Sequence, residues 1–181
     1  MDTVWRKECI CNVVCCLSPG TNPRHKEISY NLMIKTADAL DETTGEVFVD
    51  NITIHFDENN YVMPNIAILE DETKFKEDGY YGIPKLVGEI LSPSSIIRDR
   101  VEKLKLYEKF GVPEYWIVEP SGGYIEQYLL ENGKYELKKI CSVLSDGEYK
   151  RLNKEEKEEY TTVIKPCCYE NIEIDIKEVF E

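Results

Sequence analysis

Two polar residues stand inside otherwise apolar stretches of the sequence. Asn65 interrupts VMPNIAIL and Glu89 interrupts LVGEILSP. A glutamate in a core strand is costly unless it meets a cation, a metal ion or a hydrogen-bond donor, and Lys103 is an available cation. Acidic oxygen ligands together with a lysine suit metal-assisted hydrolysis of a phosphodiester, because oxygen ligands hold Mg²⁺ and the lysine can position or polarise the attacking water.

Lys103 lies in a row of three polar side chains at helical spacing. Asp99, Lys103 and Tyr107 stand at i, i+4 and i+8, which at about 100° per residue puts them on one line along a helix. The other positions form an apolar side of Ile97, Val101 and Leu104 and a solvated side of Arg98, Glu102, Lys105 and Lys109. Charges beside an apolar side are rarely buried unless paired or used. Two interpretations stay open, a functional row and an ordinary surface Asp–Lys pair worth about a few tenths of a kcal/mol.

A strand–helix–strand unit carries these residues. The pattern predicts a strand over Lys85–Leu91, a helix over Ile96–Phe110 and a strand over Glu114–Val118. A Ser-Pro step ends the first strand, and a glycine followed two residues later by a proline ends the helix. A connection of this length is typical of a crossover, so we expect the two strands to lie in one sheet with the helix on its face.

The rest of the chain predicts an α/β fold in a single domain over residues 1–181. We expect a strand over Ile10–Leu17, a helix over His25–Leu40, a hairpin of Glu46–Phe56 with Tyr61–Leu69, an exposed excursion over Glu70–Tyr81, a hairpin of Tyr124–Leu130 with Lys134–Ile140, a solvated helix or mobile connection over Asp146–Tyr160, and alternating apolar residues followed by a helical turn over Ile172–Glu181. Asn132-Gly133 is the strongest turn signal, since both residues suit a type I′ turn.

Composition limits the classes of partner. The chain has 181 residues, 42% of them hydrophobic, and a net charge of −13, which disfavours whole-surface attraction to nucleic acid or to an anionic membrane. Arg98, Arg100, Lys105 and Lys109 form a local basic cluster that suits DNA, although a solvated helix face is the favoured explanation. The apolar run near the N-terminus lacks a small-residue cleavage site, and no segment approaches membrane-spanning length. We expect a cytoplasmic protein with no membrane partner.

Seven cysteines occur, an odd number without a CxxC motif, which favours reduced thiols over a disulfide framework. A zinc site that combines the N-terminal cysteines with Cys167 or Cys168 is an alternative, but its spacing differs from the usual zinc knuckles.

Several motifs together resemble one known family. The run MPNI…YYGIPKLVGEILSPSSIIRDRVEKLKLYEKFGVPEYWIVEP, preceded by LSPGTNPRHKEISYNL and followed by IKPCCYENIEIDIKEVF, is similar to the Uma-two family of proposed bacterial endonucleases. This resemblance covers nearly the whole chain. It implies a restriction-endonuclease-like, PD-(D/E)xK fold: a mixed β-sheet flanked by helices, here with additional β-hairpins, and a metal site at the strand ends.

The resemblance also implies roles for individual residues. Asn65 takes the position of the first acid, Glu89 that of the second and Lys103 that of the lysine, while Asp99 and Tyr107 hold the lysine. The metal ligands implied are Asn65 and Glu89, and the implied ion is Mg²⁺ or Mn²⁺. His25 matches the family's histidine and could contact phosphate or cap a helix; Glu27 could be an extra ligand or a solvated residue.

One departure from the family pattern decides between two functions. This chain has Pro64-Asn65 where the family has Pro-Asp, and a neutral amide weakens both metal affinity and activation of water. We therefore expect a Mg²⁺-dependent DNA endonuclease with impaired activity. The alternative is a catalytically inactive nuclease-fold protein that acts through protein or nucleic-acid contacts. The resemblance also makes a homodimer an expectation.

Overall fold

The computed structural model describes residues 6–17, 22–40, 44–169 and 171–181 of the chain. The described helices are α1 (Pro23–Leu40), α2 (Leu104–Phe110), α3 (Asp146–Arg151), α4 (Lys154–Glu159) and α5 (Lys177–Phe180), with a π-helical segment (Arg98–Lys103) leading into α2 and a 3₁₀ turn at Glu72–Lys74. The strands are β1 (Arg6–Ile10), β2 (Val13–Leu17), β3 (Glu46–Val49), β4 (Ile54–Asp57), β5 (Asn60–Val62), β6 (Ile66–Leu69), β7 (Phe75–Lys76), β8 (Gly79–Tyr80), β9 (Leu86–Ile90), β10 (Glu114–Glu119), β11 (Tyr124–Glu131), β12 (Lys134–Ser142), β13 (Val163–Ile164) and β14 (Ile174–Asp175).

Two six-stranded sheets form the frame of the described fold. One has the order β2-β1-β5-β4-β8-β7 and the other β12-β11-β10-β9-β6-β3, while β13 and β14 form a separate pair. In the second sheet β9 and β10 run parallel, and β9 pairs antiparallel with β6 on its other side. The predicted crossover and the predicted α/β class, mixed sheets flanked by helices, are both confirmed.

Strand β9 is buried on both faces because the second sheet lies between two cores. Leu86 and Ile90 belong to the core under α1, whereas Val87 and Leu91 belong to the core under α2 and the first sheet. Since side chains alternate along a strand, Glu89 projects toward the α2 side. A Cβ added to the preceding residue, Gly88, would come within 2.5 Å of an Ile66 methyl group, so only glycine permits this approach of β6.

The predicted strand over Ile10–Leu17 is wrong, because the structure forms a hairpin here. Cys11 and Asn12 have φ angles of 51° and 67°, the left-handed pair of a two-residue turn, and β1 and β2 pair along five positions on either side of it. The hairpin therefore begins four residues before the predicted strand and brings an additional charged residue, Glu8, into the fold.

The predicted hairpin of Glu46–Phe56 with Tyr61–Leu69 is also corrected. Its outer parts, β3 and β6, pair in the second sheet, while its tip, β4 and β5, pairs in the first sheet. The two runs break where Asp50 adopts a left-handed φ of 52° and where Pro64, which cannot donate to a ladder, precedes β6. One long hairpin thus passes from one sheet to the other.

The helix over residues 96–110 forms as predicted, with Gly111 at a φ of 78° after its end, but its faces differ from the prediction. Ile97 and Val101 are exposed, at 73% and 43%, whereas the polar row of Asp99, Lys103 and Tyr107 is buried. A 3.6-residue period does not describe the first turns, because they are π-helical. Paired charges, not the apolar side, face the core.

Other predictions are confirmed with small changes of boundary. Helix α1 begins two residues earlier than predicted, and the Asn132-Gly133 turn has both φ angles positive, at 51° and 78°. The charged segment Asp146–Tyr160 forms two short helices, each opened by a capping box, at Ser145 and at Asn153. The segment predicted to be exposed, Glu70–Tyr81, is mostly exposed but contains the short strands β7 and β8, and Tyr80 of β8 is buried in the core, against the prediction. The final segment contains β14 and α5.

A buried carboxylate holds the C-terminal part of the chain against the second sheet. Glu114 is fully buried and accepts hydrogen bonds from Trp116 Nε1 (2.5 Å), Gln127 Nε2 (2.6 Å) and the backbone N–H of Cys167 (2.6 Å). Three donors satisfy the anionic group where no water reaches it, which is the condition for burying a charge. The Glu-Tyr-Trp sequence therefore has a structural role.

We expect Glu114→Ala to lower the free energy of unfolding by about 3 kcal/mol, because it leaves buried donors without an acceptor. Urea unfolding measures the change. The control is Glu131→Ala, which removes an exposed glutamate whose surface ion pair with Lys138 contributes less than about 1 kcal/mol. Equal losses in the two variants would contradict the role assigned to Glu114.

Candidate active site

A buried lysine gathers three carboxylates at the centre of the candidate site. Lys103 Nζ lies 2.8 Å from Glu8 Oε1, 2.9 Å from Glu89 Oε1 and 3.8 Å from Asp99 Oδ1. All four residues are at most 3% exposed. They come from three places in the chain: Glu8 from β1, Glu89 from β9, and both Asp99 and Lys103 from the π-helical segment, where they lie one turn apart.

Glu89 has a second donor in this cluster. Tyr107 Oη donates to Glu89 Oε1 at 2.7 Å, so one glutamate oxygen accepts from both the lysine and the tyrosine. Burial raises the pKa of Tyr107 well above its ordinary value, which keeps the hydroxyl protonated and able to donate. The predicted grouping of Glu89 with Asp99, Lys103 and Tyr107 is present in the structure.

The cluster holds more negative than positive groups, and this sets the protonation states. Burial raises the pKa of Glu89 to about 8, with Lys103 opposing the shift and the neighbouring acids Asp99 and Glu8 adding to it. Burial also raises the pKa of Asp99. For Lys103, burial acts to lower the pKa, but the three carboxylates, Glu89 first, hold it above its ordinary value. The lysine therefore stays charged at neutral pH and acts as a cation and donor, not as a base.

Glu8 is absent from the residues predicted to form the site, because the predicted strand begins only at Ile10. It is fully buried, and its Oε1 also accepts the backbone N–H of Met63 at 2.9 Å. Its Oε2 has no hydrogen-bond partner among the described residues, although Arg98 Nη1 approaches to 4.0 Å. The only signal in the sequence for a buried Glu8 is the alternation of side chains along a strand, which puts Glu8 on the same face of β1 as Ile10.

Asn65 lies in a second polar network, at the adjacent strand ends. Its Nδ2 donates to Asp50 Oδ1 at 2.7 Å, and its Oδ1 accepts the backbone N–H of Ile90 at 2.8 Å. The two partners fix the orientation of the amide, because a carboxylate can only accept and an N–H can only donate. Asn65 thus contacts the residue after Glu89, and both ends of its side chain are engaged within the protein.

Helix α1 continues this network on both sides. Ser29 Oγ donates to Asp50 Oδ2 at 3.1 Å, and His25 Nε2 lies 3.0 Å from the carbonyl oxygen of Ile90. Ser29 and His25 are one helical turn apart on α1, so the helix spans the ends of β3 and β9. His25 therefore contacts the end of β9, which differs from the predicted alternative in which it only caps its own helix.

The other predicted residues lie outside the two networks. Glu27 is exposed and pairs with Arg24 Nη1 at 2.8 Å, three residues away on the same helix. In the basic cluster, Arg100 makes two hydrogen bonds to the carboxylate of Glu126, at 2.7 and 3.0 Å, which removes it from a free DNA-facing surface. Lys105 and Lys109 are exposed and line a cavity beside the first hairpin.

Within the described ranges, no three His, Cys, Asp or Glu side chains are grouped so as to hold a metal ion. The zinc alternative gains no support from this part of the chain, where Cys167 Sγ contacts Cys168 Sγ at 3.7 Å. None of the helices among these residues is both long and apolar enough to cross a membrane.

Comparison of the fold and of the sequence with known proteins gives one consistent class. A crystal structure from Anabaena variabilis ATCC 29413, described as "a putative nuclease belonging to DUF820", superposes with a TM-score of 0.72 over 99% of this chain and 92% of that one. At 15% sequence identity, this likeness shows a shared nuclease-type fold. None of the curated proteins matches the sequence.

The family assignment comes from the sequence itself. The family profile described as "Uma2: Putative restriction endonuclease" matches residues 2–157. The chain belongs to this family, which confirms the resemblance to the Uma-two proteins.

The raised pKa of Glu89 predicts how stability depends on pH in the metal-free protein. The folded state holds this proton up to about pH 8, whereas the ordinary pKa of a glutamate is about 4.5. The favourable contribution of the protonated Glu89 to the free energy of unfolding is therefore complete below about pH 4.5. It is lost as the pH rises to about 8, by at most about 1.4 kcal/mol per pH unit for one proton. Glu89→Gln cannot ionise and lacks this loss.

Urea unfolding in a chelator across that pH window measures the difference. We expect the free energy of unfolding of Glu89→Gln to increase relative to that of the wild type as the pH rises. Glu27→Gln, which removes an exposed carboxylate, is the control and should follow the wild type. Parallel curves for the wild type and Glu89→Gln would show that Glu89 is already ionised throughout.

Proposed function

We propose that this protein is a DNA endonuclease that hydrolyses phosphodiester bonds with Mg²⁺ or Mn²⁺. One observation carries the proposal: a charged lysine and a glutamate, Lys103 and Glu89, are held 2.9 Å apart inside a nuclease-type fold. Family membership and the shared fold support the class of enzyme. We also propose one domain, a homodimer and a cytoplasmic location, which all stay predictions from the sequence.

The chemistry of the donor groups fits a hard divalent cation. The candidate ligands are oxygens, and the Lys103 cluster holds three carboxylates against one lysine. The buried Glu8 Oε2 has no hydrogen-bond partner among the described residues, so one carboxylate oxygen of the cluster is left for a further partner. Glu89 and Asn65 would hold the ion, which when bound would lower the pKa of a water and offset the charge of the phosphate.

The residues of the chain supply position and charge. Lys103 would donate to the attacking water or to a phosphate oxygen, because its amino group stays protonated. Tyr107 and Asp99 fix the lysine and Glu89 in place. Exposed Lys105 and Lys109 give this acidic protein a local surface that can meet the DNA backbone.

A second candidate function has its own supporting observation. Asn65 is neutral, and both ends of its amide are already bonded, to Asp50 and to Ile90. A protein that uses this position to hold its strand ends together, not to bind metal, would be a non-catalytic member of the family. It would act by binding a protein or a nucleic acid.

Nicking of supercoiled plasmid DNA with Mg²⁺ or Mn²⁺ separates the two functions. We expect the wild type to nick DNA and Glu89→Gln to lose about 100-fold or more of this activity, since the amide keeps an acceptor for Tyr107 but carries no charge. We expect the same loss for Lys103→Met. Lys154→Met, an exposed lysine on α4 outside the proposed DNA surface, is the matched control and should retain activity.

Circular dichroism confirms that each variant is folded before it is assayed. A folded wild type without nicking activity in either metal would contradict the nuclease and favour the binding protein. Equal activity of the wild type and Glu89→Gln would show that the nuclease uses another site.

A further inference from the structure

Two adjacent cysteines lie at the centre of a turn in the C-terminal part of the chain. The backbone N–H of Tyr169 donates to the carbonyl oxygen of Pro166 at 3.3 Å, so Cys167 and Cys168 are the two middle residues of a β-turn. Successive side chains of an extended strand point to opposite faces. This turn instead brings both thiols to one side, with the two Sγ atoms 3.7 Å apart. Both residues are exposed, so small molecules in solution can reach the sulfur atoms.

The surroundings of the two thiols differ. The backbone N–H of Cys167 donates to the carboxylate of the buried Glu114 at 2.6 Å, which holds this cysteine against the second sheet. Cys168 Sγ lies 3.6 Å from the carbonyl oxygen of Lys85, the residue that precedes β9. The ammonium group of Lys85 pairs with Glu70 at 3.0 Å. One cysteine thus lies beside a buried carboxylate, and the other lies beside a lysine.

These neighbours make Cys168 the more acidic thiol. A hydrogen bond from Cys167 lowers the pKa of Cys168, and the charge of Lys85 acts in the same direction, while partial burial, Glu114 and Glu70 oppose it. The same hydrogen bond raises the pKa of Cys167, as do partial burial and the carboxylate of Glu114. A thiolate is the nucleophilic form of cysteine. Cys168 therefore supplies the attacking sulfur, and Cys167 keeps its proton.

We propose that Cys167 and Cys168 form a redox site that reacts with hydrogen peroxide and closes to a disulfide between adjacent residues. The inference goes beyond the proposed nuclease function, because none of the candidate nuclease residues belongs to this pair. It also assigns a chemistry to two of the cysteines, which otherwise stay reduced thiols.

The reaction has two steps. In the first, the Cys168 thiolate attacks one peroxide oxygen, an S–O bond forms, the O–O bond breaks, and the hydroxide that leaves takes up a proton to become water. In the second, the Cys167 thiol loses its proton and its sulfur attacks the sulfur of the Cys168 sulfenic acid. The S–S bond forms, the S–O bond breaks, and the leaving hydroxide takes that proton. The two thiols lose two electrons, and one peroxide becomes two waters.

Peptide mass spectrometry of the folded protein after exposure to hydrogen peroxide tests the site. We expect the peptide that contains Cys167 and Cys168 to lose two hydrogen atoms and to resist alkylation by iodoacetamide, and dithiothreitol should restore both thiols. Cys11 is the control in the same sample, since it is exposed but has no cysteine next to it in the sequence. We expect it to oxidise at least about 10-fold more slowly than the pair.

Two serine variants separate the roles of the thiols. Cys167→Ser removes the sulfur that closes the disulfide, so Cys168 should stop at the sulfenic acid, which dimedone traps. Cys168→Ser should react with peroxide at least about 10-fold more slowly than Cys167→Ser, because its remaining thiol stays protonated. Both variants keep the backbone N–H that donates to Glu114, and their melting temperatures verify that they fold.

The wild-type result decides the inference, even where a variant does not fold. Absence of the loss of two hydrogen atoms, or oxidation of the pair no faster than that of Cys11, overturns the redox site. Disulfides that form only between molecules, seen as dimers on a non-reducing gel, also overturn it. Equal rates in the two serine variants contradict the assignment of Cys168 as the attacking thiol.

Discussion

The ion pairs of one buried lysine join the first sheet, the second sheet and the helix that connects β9 to β10. Lys103 binds Glu8 from the first sheet and Glu89 from the second, and it emerges from the π-helical segment between β9 and β10. Removing one member of such a group leaves an uncompensated charge in the interior, which costs far more than a surface pair contributes. The docking of the first hairpin, the rotation of the helix and the charge of the site therefore depend on the same interaction.

The Lys103 cluster meets the second network at two consecutive residues of β9. Glu89 projects toward Lys103, while the backbone of Ile90 donates to Asn65 and lies against His25. This is possible because Glu89 contributes its side chain, whereas Ile90 contributes its backbone N–H and carbonyl groups. One end of β9 thus joins a fixed positive charge to a chain of neutral and acidic groups, in a chain that belongs to a nuclease-like family.

The sequence predicts what is local in this arrangement. The spacing of Asp99, Lys103 and Tyr107, and the crossover that carries them, depend on short-range periodicity and on turn residues. Glu8 and Asp50 could not be predicted in the same way, because their partners Lys103 and Asn65 lie 95 and 15 residues away along the chain. In addition, each residue lies at or next to a turn that occurs inside an apolar run. Ile97 and Val101 are apolar but exposed, which the periodicity does not predict. The buried ion pairs of Asp99 and Lys103 determine which face of the helix points inward.

The central claim is that the ends of β6 and β9 form a site for a divalent cation. A crystal of the protein grown with Mn²⁺, with anomalous scattering measured at the manganese edge, tests it most directly. We predict one strong anomalous peak bounded by Glu89 and Asn65. A map without a peak at these strand ends, or with manganese only at surface carboxylates elsewhere, would contradict the account.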